Sequence, residues 1–114
     1  MRKSNVIAIG VALAISSSLA LGQQKGKKGS SGDAAKGQEV FQPCGLCHAA
    51  DSTEKKVGPG LKGLFKRETM ANGKKITEAT VRTQIDEGGN GMPSYKDTLS
   101  DAEKNDLIAY LKTL

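Results

Sequence analysis

The sequence predicts a small all-α domain whose core is completed by something other than its own side chains. Three segments carry the caps and apolar spacing of helices, and no alternating apolar–polar run is long enough for a strand. Only 37% of the 114 residues are apolar and 4% are aromatic, with no tryptophan. A domain this small and lean ordinarily needs a disulfide, a metal or a bound cofactor to fold stably. Multidomain enzymes, repeat arrays and polytopic membrane proteins are excluded.

The first two helices are predicted from N-cap residues. Asp33 can accept hydrogen bonds from the free N–H groups of a first turn, and the helix then continues through Phe41 until Pro43 ends it. Thr77 can cap a second helix that reaches about Glu87. The buried face of this second helix is expected at Val81 and Ile85.

The last helix has the clearest signals. Ser100 and Glu103 have the spacing of a capping box. The i, i+3, i+4, i+7 pattern that follows predicts a buried stripe at Leu107, Tyr110, Leu111 and Leu114. Between the first two helices, residues 49–60 have no sustained period and are expected to form a loop. One short helical turn is expected after it, at Leu61, Leu64 and Phe65.

Residues 1–22 are expected to be a signal peptide. A short positive start precedes an uncharged, mostly apolar run, which is short for a membrane span of about 20 residues. Small residues before Gln23 are typical of cleavage at that point, and cleavage predicts a periplasmic protein with no membrane span. Residues 23–32 are then a flexible linker, and residues 33–114 are the folded domain. The alternative is an uncleaved leader that anchors the protein to the membrane.

The net charge of +5 does not indicate nucleic-acid binding. Residues 33–114 carry 12 basic and 12 acidic side chains, and no aromatic residues accompany the lysines in a stacking surface. The charges are nevertheless segregated, since residues 55–75 carry seven basic and one acidic side chain and residues 86–106 carry six acidic and two basic. The basic half is a candidate for steering transient docking to acidic partners, and the alternative is a solvated surface without that role.

The segment Cys44-Gly45-Leu46-Cys47-His48 is the C-x-x-C-H attachment signature of c-type haem. At i and i+3 of a helical turn, two thiols project from the same side and can form thioethers with the two vinyl groups on one porphyrin edge. His48 follows directly and can bind the iron as an axial ligand. One covalent haem c would also complete the sparse core.

Three other interpretations of the two cysteines stay open on the residues alone. A redox dithiol ordinarily lies in a thioredoxin-like strand–helix pattern, which the sequence lacks. A disulfide across so short a loop would add little stability. A zinc site needs four ligands, so the two cysteines and one histidine of the chain would have to be joined by a carboxylate.

The single histidine leaves Met, Lys, Tyr or an open position on the other side of the iron. Met92 precedes Pro93, which favours an extended backbone suited to a loop that holds a side chain over a flat ligand. Met70 lies in a stretch with no such constraint. We therefore expect Met92 to be the second axial ligand, and Met70 to pack elsewhere or lie exposed.

Five motifs follow one another along the chain. They are Gly37-x-x-x-Phe41, C-x-x-C-H, Gly58-Pro59-Gly60-Leu61, Gly91-Met92-Pro93 and Asp106-Leu107-Ile108-Ala109-Tyr110-Leu111. In this order they resemble a class I cytochrome c over about residues 33–114. The resemblance implies a small cytochrome c fold, with about four helices wrapped around one covalent haem.

The resemblance also implies residue roles. Cys44 and Cys47 would carry the haem, and His48 and Met92 would be its axial ligands. The backbone carbonyl of Pro59 would accept a hydrogen bond from the His48 ring and orient it. At the crossing of the first and last helices, close approach and packing are expected from Gly37, Phe41 and Tyr110.

The function expected from these residues is one-electron transport, not catalysis, by an exported monohaem cytochrome that docks transiently with a reductase and an oxidase. A soft Met92 thioether and an apolar shell both favour Fe(II) and raise the reduction potential. The alternative is a haem enzyme or ligand sensor in which Met92 is displaced, but the sequence offers no second histidine and no evident distal acid–base group. The haem lining is expected from Leu61, Leu64, Val81, Ile85 and Tyr95.

Overall fold

The computed structural model describes residues 31–114. The predicted leader lies outside these residues, and so does the predicted linker except for its last two positions. Within the described part, the fold is all-helical, as predicted, with two isolated bridges and no strand. About four helices are expected from the family resemblance, and this part of the chain forms three α-helices and two single-turn 3-10 helices. They are α1 (Ala34–Val40), the 3-10 turn Cys44–Leu46, the 3-10 turn Leu64–Lys66, α2 (Glu78–Glu87) and α3 (Asp101–Leu111).

The predicted N-caps are confirmed. The Asp33 carboxylate accepts from the first-turn N–H groups of α1. Thr77 and Ser100 each form a reciprocal capping box, Thr77 with Thr80 on α2 and Ser100 with Glu103 on α3. Because each cap satisfies backbone donors that a helix start leaves free, the three starts are specified by local sequence.

Helices α1 and α3 cross in direct backbone contact. A β-carbon added at Gly37 would overlap the carbonyl oxygen of Asp106, so only glycine permits this approach. The rings of Phe41 and Tyr110 pack beside the contact with centroids 5.3 Å apart, which confirms the expected pair. The Asp33 N–H also donates to the Asp106 carboxylate at 2.7 Å, which fastens the start of α1 to α3.

The buried stripe on α3 differs in part from the prediction. Leu107 and Leu111 are buried, but Tyr110 and Leu114 are only half-buried, whereas Ile108 is buried. The reason is that α3 packs against both α1 and α2, so its covered surface is wider than one stripe. Val81 and Ile85 on α2 are buried as predicted. The apolar core consists of Phe41, Leu64, Val81, Ile85, Leu107, Ile108 and Leu111.

Candidate haem site

The two cysteines lie on a tight turn that follows α1. Pro43 has a helical φ of −66° and starts the turn Cys44–Leu46, in which the N–H groups of Cys47 and His48 donate to the Cys44 carbonyl at 3.1 and 2.9 Å. Both cysteines are half-buried. Burial raises the pKa of the Cys44 thiol, and the nearby Cys47 adds to the increase. The turn therefore carries the two thiols three residues apart, with the imidazole next in sequence.

His48 has one ring nitrogen fixed by the following loop. Its Nδ1 lies 2.8 Å from the carbonyl oxygen of Pro59. A carbonyl can only accept, so Nδ1 carries the proton and the lone pair is on Nε2. This hydrogen bond orients the ring and makes Nε2 a stronger donor to a metal.

Gly58 provides the space for the His48 ring. A β-carbon at this position would lie 2.5 Å from the ring carbon Cε1 and 2.8 Å from Nδ1. The Gly58 N–H also donates to the Cys47 carbonyl at 2.8 Å. This packing of Gly58 against the ring is not predicted from the sequence, in which Gly58 is only one residue of a motif. The glycine next to Pro59 is the one sequence signal at this position, but the contact of Gly58 with the His48 ring depends on how the loop folds back.

Several backbone carbonyl groups of this loop accept hydrogen bonds from other residues of the same loop. Leu61 N–H donates to the Ala49 carbonyl at 2.7 Å, and the Arg67 guanidinium donates to the carbonyls of Gly60 at 2.9 Å and Lys62 at 2.5 Å. Hydrogen bonds to its own backbone therefore help to order the loop from His48 to Arg67.

Met92 lies at the end of a left-handed segment. Four consecutive residues have positive φ: Gly88 (65°), Gly89 (114°), Asn90 (53°) and Gly91 (91°). Glycine adopts this conformation without steric cost, and asparagine tolerates it better than most residues. Gly89 and Met92 then exchange two backbone hydrogen bonds, of 2.9 and 3.1 Å. The half-buried Met92 is thus presented by a loop with a defined backbone.

Gln84, which is not among the residues predicted from the sequence, contacts Met92. Its amide Nε2 lies 3.7 Å from the Met92 sulfur and donates to the Gly88 carbonyl at 3.0 Å. Asn72 in turn donates to the Gln84 side-chain oxygen at 3.0 Å. No sequence signal separates Gln84 from the other polar residues of α2, because its contacts come from a loop that returns to the helix.

Met70 and the expected lining residues belong to the core. Met70 is half-buried against the apolar cluster, and its N–H donates to the Lys74 carbonyl at 2.8 Å. Burial raises the pKa of Tyr95, with smaller contributions from Cys44 and Cys47. All five expected lining residues are in the cluster or packed against it, namely Leu61, Leu64, Val81, Ile85 and Tyr95.

These donor groups fit a covalent haem. The two cysteine sulfurs lie three residues apart on one turn, the imidazole has its Nε2 lone pair available, and the thioether is held on a separate loop. None of the described residues forms a cluster of three or more His, Cys, Asp or Glu side chains that could hold a metal ion alone. The zinc interpretation thus receives no support from this part of the chain.

A family profile described as "Cytochrome C oxidase, cbb3-type, subunit III" matches residues 32–111. The chain is also 38% identical over 80 residues to cytochrome c6 of Leptolyngbya boryana, across 69% of this chain and 89% of that protein. The chain belongs to the class I cytochrome c family. Cytochrome c2 of Blastochloris viridis is 34% identical over 97 residues, across 70% of this chain and 76% of that protein. The solved structure of cytochrome c6 from the diatom Phaeodactylum tricornutum superposes with a TM-score of 0.57 and 29% identity, across 72% of this chain and 93% of that chain.

Family membership decides the cofactor and the general activity. This cytochrome carries one haem c, attached covalently through Cys44 and Cys47, since the chain contains only these two cysteines. It is a monohaem electron carrier that exchanges electrons with redox partners. Within residues 31–114, no helix is long and apolar enough to cross a membrane.

Proposed function

We propose that this cytochrome is an exported one-electron carrier, not an enzyme, whose haem iron is bound by His48 and Met92. The observation that carries the proposal is the combination of a His48 ring fixed by Pro59 with a Met92 thioether fixed at the end of a left-handed loop. When bound, the haem supplies one-electron chemistry, because its iron alternates between Fe(II) and Fe(III).

The contacts of His48 support a permanent ligand. The Nδ1–H donates to Pro59 at 2.8 Å, which leaves Nε2 as the binding atom and keeps the ring in one orientation. The backbone of Gly58 lies against the ring, so the ring has little room to rotate on that side. A ligand held in this way does not dissociate when the iron changes its oxidation state.

The contacts of Met92 support a second permanent ligand. Its backbone is paired with Gly89, and its sulfur lies near the Gln84 amide. A thioether is a soft donor that stabilises Fe(II) relative to Fe(III) and so raises the reduction potential. With both axial positions occupied by the protein, neither oxidation state has to gain or lose a ligand, which favours electron transfer over substrate binding.

An apolar patch beside the attachment turn supports transient docking to a reductase and an oxidase. Leu46 and Val57 are 77% and 74% exposed, and they lie on neighbouring segments joined by the hydrogen bond from Lys56 Nζ to the Gly45 carbonyl at 3.0 Å. Lys55 and Lys56 place positive charge next to this patch. Apolar side chains with a basic rim suit an acidic redox protein, and the neutral charge balance of residues 33–114 gives no support to a nucleic-acid partner.

The docking proposal is tested by the dependence of electron-transfer rates on ionic strength. Lys55→Glu combined with Lys56→Glu is expected to slow transfer to an acidic partner at low salt, whereas Lys36→Glu on the exposed face of α1 serves as the control. Rates that do not change with salt or with these substitutions would contradict it.

Export is proposed from residues 1–22, with cleavage before Gln23 and release to the periplasm. The purified protein is expected to begin at Gln23. An intact Met1 in the purified protein would instead support an anchored leader.

The ligand proposal is tested by replacing each of the two methionines of the folded domain in the mature holoprotein. Met92→Ala is expected to abolish the far-red methionine–iron charge-transfer band and to lower the reduction potential, because a soft ligand is lost. Met70→Ala is the matched control and should retain both properties. A band and potential that survive in Met92→Ala would overturn the ligand assignment. A wild-type protein that lacks the band and binds peroxide or a gas would favour the haem enzyme or sensor.

A further inference from the structure

A lysine is buried between α2, α3 and the segment that follows Met92. Lys104 on α3 is 4% exposed, and it is the buried charged residue among those the structure describes. Its ammonium lies 2.7 Å from Asp86 Oδ1 on α2 and donates to the Lys96 carbonyl at 2.9 Å. One buried charge therefore bridges a carboxylate of α2 and the backbone of the Met92 loop.

Each residue of the segment 94–96 is hydrogen-bonded to α2 or α3. The Ser94 hydroxyl donates to the Asp86 carbonyl at 2.5 Å, and the Tyr95 N–H donates to the Ile85 carbonyl at 3.0 Å. Lys104 holds the third residue through the Lys96 carbonyl. Met92 lies two residues before this segment, so its position depends on the glycine loop before it and on these anchors after it.

The charges around Asp86 come from three elements. Lys104 approaches from α3, Arg82 approaches along α2 with its Nε 3.8 Å from Asp86 Oδ2, and Lys96 lies on the loop. The Arg82 guanidinium is shared, because it also pairs with Asp101 at 2.5 Å and donates to Asn105 at 2.9 Å. The hydrogen bond from Lys104 is the main reason that the pKa of Asp86 is lowered.

An ammonium so deeply buried is costly unless its donors are satisfied. If residues 94–96 leave α2, Lys104 loses the Lys96 carbonyl while it remains between the helices. Departure of the loop therefore leaves a buried charge with fewer acceptors, and the native contact resists that departure.

We propose that Lys104 is a positioning residue for Met92, which holds the segment 94–96 against α2 and so keeps the thioether over the iron. The inference depends on the proposed axial role of Met92. The inference concerns how readily the Met92 thioether dissociates from the iron, not whether Met92 binds the iron.

The experiment measures how well imidazole replaces Met92 in the oxidised, mature holoprotein. Lys104→Met, which keeps the length and removes the charge, is expected to raise the apparent imidazole affinity by about tenfold, the size of one lost hydrogen bond to a charged group. Lys104→Arg retains the charge and two or more donors, and it should restore an affinity near that of the wild type. An affinity in Lys104→Met equal to that of the wild type would overturn the proposal.

Two controls separate positioning from general destabilisation. Lys112→Met removes an exposed lysine directly after the last residue of α3, which pairs with Glu78 on α2 and not with the segment, and it should leave imidazole affinity unchanged. Leu111→Ala removes buried core packing but none of the hydrogen bonds that hold residues 94–96. If Leu111→Ala and Lys104→Met show the same increase in imidazole affinity at the same loss in free energy of unfolding, Lys104 acts only through global stability and the proposal is wrong.

Failure of this inference can be distinguished from failure of the ligand assignment. If Met92→Ala binds imidazole no more tightly than the wild type, Met92 is not the displaced ligand. If Met92→Ala binds imidazole more tightly and Lys104→Met does not, only the positioning inference fails.

Should Lys104→Met not accumulate with haem, Asp86→Asn weakens the same ion pair and is expected to raise the imidazole affinity in the same direction. Wild-type affinity in that variant would also overturn the proposal.

Discussion

The α1–α3 crossing and the segment 44–76 are ordered by different means. At the crossing, Gly37 brings two backbones into contact, and the Phe41 and Tyr110 rings pack beside it. The segment 44–76 is more than four times as long as α1, yet it contributes one buried apolar side chain, Leu64. Its other apolar side chains, among them Leu61, Phe65 and Met70, are only partly buried against the core, and hydrogen bonds to carbonyl groups, such as those that Arg67 donates, add to its order.

This difference indicates which part of the fold depends on the cofactor. Side-chain packing in the crossing removes apolar surface from water without any added group. Hydrogen bonds in a half-exposed loop contribute little net stability, because the open loop can form the same bonds with water. The covalent haem therefore matters most to the segment that carries the two attachment cysteines.

The largest expected effect comes from removing the haem attachment. In Cys44→Ala combined with Cys47→Ala, we expect the free energy of unfolding to fall to at most about 3–5 kcal/mol, the most that a single core of this size ordinarily supplies. Amide hydrogen exchange should accelerate more in residues 49–63 than in α1 and α3. Equal protection of both regions in the haem-free protein would contradict the comparison.

The second effect tests the crossing directly. Gly37→Ala places a β-carbon on the Asp106 carbonyl oxygen and is expected to lower the free energy of unfolding by about 2–3 kcal/mol, as overpacking does. Urea denaturation of the holoprotein measures the loss. Gly45→Ala is the matched control, because its β-carbon would meet only the Phe41 ring at an ordinary 3.7 Å. A loss in the control as large as that in Gly37→Ala would show that the crossing is not the cause.

The parts that the sequence could predict are those with local causes. Asp33, Thr77 and Ser100 cap their helices through residues two or three positions away, and each helix start was predicted correctly. The turn with Cys44 and Cys47 is equally local, because its spacing and the preceding proline lie within a few residues.

The parts that the sequence could not predict depend on distant contacts. Lys104 lies in the middle of a helix and is ordinarily solvent-exposed by type, and only Asp86 and Lys96 explain its burial. Gln84 reaches Met92 because the glycine loop turns back onto α2. Neither contact has a signature within one helix turn, so periodicity alone cannot indicate it.

The third effect concerns the His48 ring without a large change in fold. Gly58→Ala would bring a β-carbon within 2.5 Å of ring carbon Cε1, so the ring must shift and its hydrogen bond to Pro59 must weaken. A weaker hydrogen bond makes the imidazole a poorer donor, which destabilises Fe(III) and raises the reduction potential. The shift is expected to be tens of millivolts, since a tenfold change in relative binding of the two oxidation states corresponds to about 59 mV. Redox titration of Gly58→Ala measures the shift, with Gly45→Ala as the control. An unchanged or lowered potential in Gly58→Ala would contradict the role of this contact.

The smallest effect concerns the cap of α3 and its dependence on pH. The Glu103 carboxylate accepts from the Ser100 N–H and hydroxyl, and the backbone hydrogen bond is the main reason that its pKa is lowered. A group whose pKa is lower in the folded state stabilises the protein above its unfolded pKa, and this stabilisation is lost as the pH falls through the folded pKa. Ser100→Ala should lower stability at neutral pH by about 1 kcal/mol, the usual cost of losing such a cap.

In acid the difference between wild type and Ser100→Ala should shrink, because protonated Glu103 no longer holds the cap in either protein. Asp86 also has a lowered pKa, but its contribution is present in both proteins and cancels in the difference. Urea denaturation of the two holoproteins at neutral and acidic pH measures the change. A difference that stays constant across this range would mean that the Ser100 hydroxyl caps α3 without help from the Glu103 charge.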